Sequence, residues 1–418
     1  MLRKAFGFGT SQALIRLVCS FVSIKFTAVY LGPSGLALIA QFNGLVSLGQ
    51  GLLGAGLNTA TVRLTPEYIG QPQRRRALWS TGLALAAMFA TAGVLALLLA
   101  GPMLARRLFA DETYAWAIAL AGLAIAANVF NNQLLGALNG AREIGRVVLS
   151  NVLATVAGLL AFAPACMLWG TAGGMVGSCA SYLLALLISI GLGLRSPTVH
   201  LRDFLGRFDG AEARRILGFY PMLVAHATLT PLAMILVRDV VISSLSLESA
   251  GLWQATWRLS EVYTTVITTS VSLYFMPRLG ELAGDELAMR NEVWRTLLLV
   301  TVLTALMALG IFLLREWIVP LVFSASFLGV QALMPVQLLG DVIKMAAWIL
   351  GFVLVARINT RWYVAIEIMV PVVLVLGVRW LVPALGAVGA MWAYVLASMV
   401  QLALAALGLR RLLFARAR

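Results

Sequence analysis

The stretch GLWQATWRLSEVYTTVITTSVSLYFMPRL, residues 251–279, decides how the chain is read. It has the length and apolar content of a membrane-crossing helix, yet Arg258, Glu261, Thr265, Thr268 and Ser272 recur every three or four residues and share one face. Trp253, Trp257, Leu259, Val262, Val266, Ile267, Val271 and Leu273 occupy the others. A charge at bilayer depth costs roughly 2.5–3.5 kcal/mol by insertion scales. The stripe is therefore expected to face protein or trapped water, so that the helix borders a polar space inside a bundle.

The rest of the chain matches that reading. Of its 418 residues, 61% are hydrophobic and 11% charged, against about 25% charged in a soluble domain. Apolar spans long enough to cross ~30 Å of hydrocarbon fall at roughly 10–31, 36–60, 78–100, 114–137, 147–169, 171–194, 216–241, 249–276, 294–314, 328–356, 362–382 and 386–409. The predicted fold class is an all-α polytopic membrane protein with about twelve transmembrane helices. Its first span lacks a small-residue cleavage site, so it is expected to be a retained helix rather than a signal peptide.

A net charge of +14 would suit nucleic acid if it formed a patch, but the cations sit at span ends. The outer ends hold Arg106, Arg107, Arg315 and Arg379; Arg16, Lys25, Arg238, Arg258 and Lys344 lie within spans; all other Lys and Arg fall at ends that are cytoplasmic if the N-terminus is. That bias predicts both termini inside and no nucleic-acid partner. Cys19, Cys166 and Cys179 lie within spans, and with two histidines they offer neither a disulfide framework nor metal-ligand spacing.

A repeat with an offset near 215 residues divides the chain. Gly35-Leu36 recurs as Gly251-Leu252, Arg63-Leu64 with Glu67 as Arg278-Leu279 with Glu281, Ala141-Arg142 with Arg146 as Ala356-Arg357 with Arg361, and Gly174, Gly177, Tyr182 as Gly386, Gly389, Tyr394. Six spans per repeat make the halves parallel. The expected organisation is an N-terminal lobe (1–194), a cytoplasmic linker (195–215) and a C-terminal lobe (216–418), with a cavity between the lobes. Within the linker, Leu201, Phe204, Leu205 and Phe208 follow a helical face, which predicts a short interfacial helix.

Polar stripes mark other spans: Gln12, Arg16, Ser20, Ser23 and Thr27 in the first; Gln41, Gly44, Ser47, Gly51, Gly54 and Asn58 in the second; Asn128, Asn131, Asn132 and Asn139 in the fourth; Gln337, Asp341, Lys344 and Trp348 in the tenth. Small-residue stripes serve equally as helix-packing seams. The charged positions are more specific. Arg258 with Glu261, and Asp341 with Lys344, are three apart and can pair on one face. Arg16, Lys25 and Arg238 have no acid at i±3 or i±4, although Asp239 adjoins Arg238. Cations in an internal polar space are costly without an anion to receive, so Arg16, Lys25, Arg238, Arg258 and Lys344 are the candidate positions for a phosphate-bearing substrate.

Lys25 is nine residues after Arg16, which places it on the opposite face of a straight helix; either that span bends or Lys25 serves a second surface. Arg63 and Arg278, at matching cytoplasmic ends, suit positive-inside anchoring or an entrance for anionic head groups. Glu261, Asp341 and Glu367 are candidate coupling carboxylates, because burial lets a carboxyl bind a proton. Trp257, Tyr263 and Trp348 are candidate stacking residues for such a substrate. His226 reads as a core residue rather than a relay. The sequence holds no Walker-type phosphate loop and no nucleophile elbow, so transport by the chain's own ATP hydrolysis is not expected.

Three strings carry a family likeness: Lys25-Phe-Thr-Ala-Val-Tyr-Leu-Gly-Pro-Ser-Gly-Leu36, Gly251-Leu-Trp-Gln254 and Gln337-Leu-Leu-Gly-Asp-Val-Ile-Lys344. The chain resembles the Wzx flippases of bacterial surface polysaccharide synthesis, nearest to the branch serving enterobacterial common antigen, from about residue 10 to 410. The resemblance implies the multidrug/oligosaccharidyl-lipid/polysaccharide (MOP) exporter fold in the inner membrane. It implies an undecaprenyl-diphosphate-linked oligosaccharide as cargo, of the lipid III or O-antigen type. Further implications are a polysaccharide polymerase and a chain-length regulator as partners, no cofactor, and a proton or sodium gradient as driving force. Two rivals remain: a MATE-like antiporter for organic cations, disfavoured by the excess of embedded cations, and a membrane glycan polymerase or ligase, disfavoured by short outer connections.

Overall fold

In the computed structural model the backbone is described for residues 2–68, 70–109, 111–282 and 284–414, and the side chains for all of these except 2–11, 13, 14, 221, 222, 225, 226, 273 and 414. His226 therefore lies outside the described side chains. The protein is all-helical: α1 (Leu2–Leu64), α2 (Pro72–Leu99), α3 (Gly101–Phe109), α4 (Ala115–Gly140), α5 (Ile144–Leu194), α6 (Gly210–Leu217), α7 (Tyr220–Ser244), α8 (Leu247–Glu281), α9 (Glu286–Leu313), α10 (Arg315–Val322), α11 (Val330–Ala356), α12 (Thr360–Leu385), α13 (Ala387–Gly408) and α14 (Arg410–Phe414).

Among the described residues, nine helices are long and apolar enough to cross a membrane. Two of them are bent into two arms. In α1 the break is at Gly32 (φ 65°, ψ −171°), where the following Pro33 disfavours the α conformation and glycine alone takes the left-handed one without a Cβ penalty. In α5 it is at Gly170 (φ 57°, ψ −136°). α8 is 35 residues long and is not among the nine, as its polar stripe would suggest. With α8 and the extra arms the expected count of about twelve crossings is met, six to a lobe.

By its internal contacts the chain divides within α7, between Ile235 and Leu236, and residues 32–37 go with the second unit. Residues 195–215 belong with the first unit. There the helical face through Leu201, Phe204, Leu205 and Phe208 does not form. Leu201–Phe204 is a single 3-10 turn, Phe204 stacks on Trp79 at 5.4 Å, and Leu205 and Phe208 stay exposed. A new helix, α6, starts only when Asp209 caps it by accepting from the backbone N–H groups of Ala211 and Glu212. Tyr68 donates to Glu212 (2.6 Å) and Arg215 pairs with Glu67 (2.7 Å), which pins α6 to the end of α1.

The repeat is visible in the backbone, with a register different from the one read in the sequence. Arg142 (φ 64°) and Ile358 (φ 54°) are the two non-glycine residues of positive φ among those described, and Gly170 is matched by Gly386 (φ 62°). The following helix then passes so close that a Cβ on Gly173 would enter the Ala165 carbonyl, and one on Gly389 the Leu381 carbonyl. These pairs share one offset, 216 (358 − 142, 386 − 170, 389 − 173). The structural partner of Gly386 is thus Gly170 rather than Gly174, and that of Arg357 is Ala141 rather than Arg142. Residue identity misleads here because the conserved quantity is a backbone turn. The short helices α3 and α10 repeat as well, each following the lobe's third crossing and each ended by a buried phenylalanine, Phe109 or Phe323.

Candidate functional site

α8 separates its polar residues into two kinds. Thr256, Ser260, Tyr263, Ile267 and Phe275 form a buried ridge with Trp253 and Gln254, while Glu261 and Thr265 are exposed and Arg258, Thr268 and Ser272 partly so. The stripe read in the sequence is the open face of this helix. Arg258 and Glu261 pair along it at 3.2 Å.

Behind that face, α8 meets α11 and α13 around Asp341, which is 1% exposed. Its carboxylate accepts from Ser260 Oγ (2.6 Å), Tyr263 OH (2.7 Å), Tyr394 OH (2.8 Å) and Gln337 Nε2 (3.2 Å). An ionised carboxylate has about four acceptor sites, and here each oxygen has two donors. Lys344, one turn on, forms no ion pair with it. Its ammonium lies 5.1 Å from the Trp257 ring centroid and 5.3 Å from that of Tyr394. The two rings meet edge-on at 5.1 Å, so they hold a cation by their faces while Tyr394 holds an anion by its hydroxyl.

Arg238 is 4% exposed; its Nε donates to Gln254 Oε1 at 3.0 Å and its guanidinium lies 5.9 Å from the Trp253 centroid. It is thus part of the same lobe's interior. The other candidates are dispersed. Arg16 is exposed and Lys25 half-buried on the first arm of α1. Arg63 lies over the Phe219 ring at 5.6 Å, and Arg278 pairs with Glu281 at 2.7 Å. Glu367 is half-buried on α12. Trp348 is half-buried with its ring 4.8 Å from Phe352.

In the first unit, members of the uncharged stripes hydrogen-bond with one another and with neighbouring helices. Asn58 donates to the Asn132 carbonyl (2.8 Å), Asn132 to Asn128 (2.6 Å), Thr61 to Gln133 (3.1 Å) and Ser189 to Asn131 (2.5 Å). These residues form a packing seam. Sequence reasoning missed Ser260, Gln254 and the role of Tyr394. In the sequence Tyr394 stands out only as a repeat marker, and a polar residue on the buried ridge of α8 gives no local signal of its partner.

A six-plus-six arrangement of long apolar helices defines the class, a multi-pass membrane protein, and its fold is the one found in transporters of the MOP superfamily. An inward-facing MATE family multidrug resistance transporter of the MOP superfamily superposes with a TM-score of 0.81 at 16% identity, covering 96% of this chain and 98% of that one. Lipid II flippase MurJ in an inward closed conformation gives 0.76 at 12% identity, covering 97% and 87%. The chain belongs to the polysaccharide biosynthesis protein family, which matches residues 28–332. It is 28% identical over 393 residues to the lipid III flippase of Escherichia coli (strain K12), covering 94% of each chain, and equally to that of Shigella flexneri.

Proposed function

We propose that this protein is a flippase that turns an undecaprenyl-diphosphate-linked oligosaccharide, of the lipid III or O-antigen type, from the cytoplasmic to the periplasmic leaflet by alternating access. The observation that carries the reading is similarity to lipid III flippases along 94% of the chain rather than in one motif. The chemistry of the second lobe agrees with it. Arg258, Glu261 and Thr265 on the open face of α8 require water or protein rather than lipid. Lys344 and Arg238 supply cations suited to a diphosphate, and Trp257 an aromatic face suited to a sugar. The polyprenyl tail stays in hydrocarbon, and the glycan's hydroxyls keep polar partners throughout, which avoids the cost of stripping them.

In this reading both termini are cytoplasmic, a proton or sodium gradient drives the cycle, and Asp341 is the carboxylate whose charge the lobe's hydrogen bonds would sense. A polymerase and a chain-length regulator would take up the delivered lipid-linked unit. The protein is a transporter rather than an enzyme. Deleting the gene and identifying which polyprenyl-linked oligosaccharide accumulates on the inner leaflet tests the proposal. Accumulation of none, with altered resistance to organic cations instead, would favour the antiporter.

A further inference from the structure

The internal repeat offers a comparison for a corner of the second lobe that the proposed function leaves unassigned. In the first lobe, the turn between α4 and α5 contains Glu143, whose backbone N–H donates to the Leu138 carbonyl at 2.9 Å. Its carboxylate is the local anion: Ser196, Thr198 and Arg146 all donate to it, and Arg146 also donates to the Arg195 carbonyl at 2.8 Å. The corner is closed by the chain's own acid.

In the second lobe the same turn recurs between α11 and α12, with Asn359 N–H donating to the Leu354 carbonyl at 2.9 Å. At the shared offset Asn359 stands for Glu143, Trp362 for Arg146, Arg357 for Ala141, Arg410 for Leu194 and Arg411 for Arg195. The acid is gone; cations are gained at Arg357 and Arg410 and one is lost where Trp362 stands for Arg146. The corner is not closed: Arg357, Asn359, Trp362, Arg410 and Arg411 line a cavity of about 560 Å³. Asn359 cannot replace the acid, since its amide is turned to donate to the Gly408 carbonyl at 3.3 Å. Arg357 reaches out to Glu286 at 2.7 Å. Among the described residues, Arg410 and Arg411 have no acidic partner.

We propose that this corner is a binding site for a phosphate group, which takes the place that the Glu143 carboxylate fills in the first lobe. Guanidinium forks match phosphate oxygens in bidentate geometry, and Trp362 offers an apolar wall to whatever the phosphate is attached to. Phosphate chemistry reaches such a site either as the head group of an anionic lipid or as a free phosphate or diphosphate. Basic pockets between membrane helices bind lipid head groups by the same contacts.

The test uses the purified full-length protein. One arm titrates inorganic pyrophosphate in detergent and follows the melting temperature. The other reconstitutes the protein in phosphatidylcholine vesicles with and without phosphatidylglycerol and measures the lipid retained by native mass spectrometry. Asn359→Glu, which restores the internal acid, and the double variant Arg410→Ala/Arg411→Ala are each expected to weaken the response about tenfold, the scale of losing one or two charge-assisted hydrogen bonds. Arg106→Ala/Arg107→Ala carries the same charge change on α3 and is expected to respond like the wild type. A pyrophosphate response alone identifies free phosphate as the source, and phosphatidylglycerol retention alone identifies the head group. No response to either in the wild type, or one that survives Asn359→Glu, overturns the site. Should the double variant fail to elute as a folded protein, Asn359→Glu decides alone.

Discussion

Asp341 and Lys344 lie one helical turn apart on α11 and do not pair. The carboxylate is occupied by four side-chain donors, three of them from α8 and α13, while the ammonium rests against the Trp257 and Tyr394 rings. An i,i+3 pair on an open helix surface would neutralise itself. Here the neighbouring elements supply hydroxyls that outcompete the lysine for contact with the acid, which leaves the ammonium against aromatic faces, with the Asp341 and Glu261 charges acting on it from beyond ion-pair distance.

Tyr394→Phe keeps the ring under Lys344 and removes one donor from a buried carboxylate. It should cost about 1.5–3 kcal/mol, the range for hydrogen bonds to charged groups. Tyr394→Leu should cost a further 0.5–2 kcal/mol or so by removing the cation–ring contact. Denaturation of the purified protein in detergent measures both, and equal stability of Tyr394→Phe and wild type would show the hydroxyl to be idle.

Lys344→Met should leave folding nearly intact, because no acid is orphaned by its loss, and should reduce transport at least tenfold if the ammonium receives a diphosphate. Asp341→Ala should fail differently, by stranding four donors and unfolding the lobe. Complementation of a deletion strain, scored beside protein levels, separates the two outcomes.

Burial alone would raise the Glu143 carboxyl, but the hydrogen bonds from Ser196, Thr198 and Arg146 outweigh it and hold the group below the ordinary glutamate value. A lowered folded pKa adds stability that is fully present above the unfolded value of about 4.3 and is lost as pH falls through the folded one. The melting temperature should therefore drop more steeply on acidification in the wild type than in Glu143→Gln. Parallel acid profiles would show that the corner does not sense this charge.

Gly173→Ala and Gly389→Ala should both destabilise, since the added methyl enters a backbone carbonyl of the preceding arm, which cannot swing aside as a side chain can. Gly177→Ala, crowded against the Phe162 backbone at 2.8 Å, should do the same in the first lobe only. Each should cost roughly 1–3 kcal/mol, as overpacking does. Expression level and melting temperature are the measurements, and wild-type values for Gly173→Ala would contradict the close approach.

Helical class, the number of crossings and the open stripe of α8 were legible in the sequence because they are local: apolar length, and a period that links residues three or four apart. The repeat was legible too, though its register was not. Identity matched Arg142 to Arg357, whereas the left-handed turn matches Arg142 to Ile358. In the linker, a helical period through Phe204 and Phe208 lost to a ring stack on Trp79, 125 residues earlier (204 − 79).

What only tertiary structure decided is which polar groups remain available. Asp341 takes three of its four partners from positions 81, 78 and 53 residues away, and no window of sequence contains them. The arginine-lined corner of the second lobe likewise emerges only when α11, α12, α13 and α14 converge at one turn. Periodicity assigns a side chain to a face of its own helix, but helix packing brings distant donors within 3 Å, and that distance determines whether a charge is already neutralised or left for a ligand.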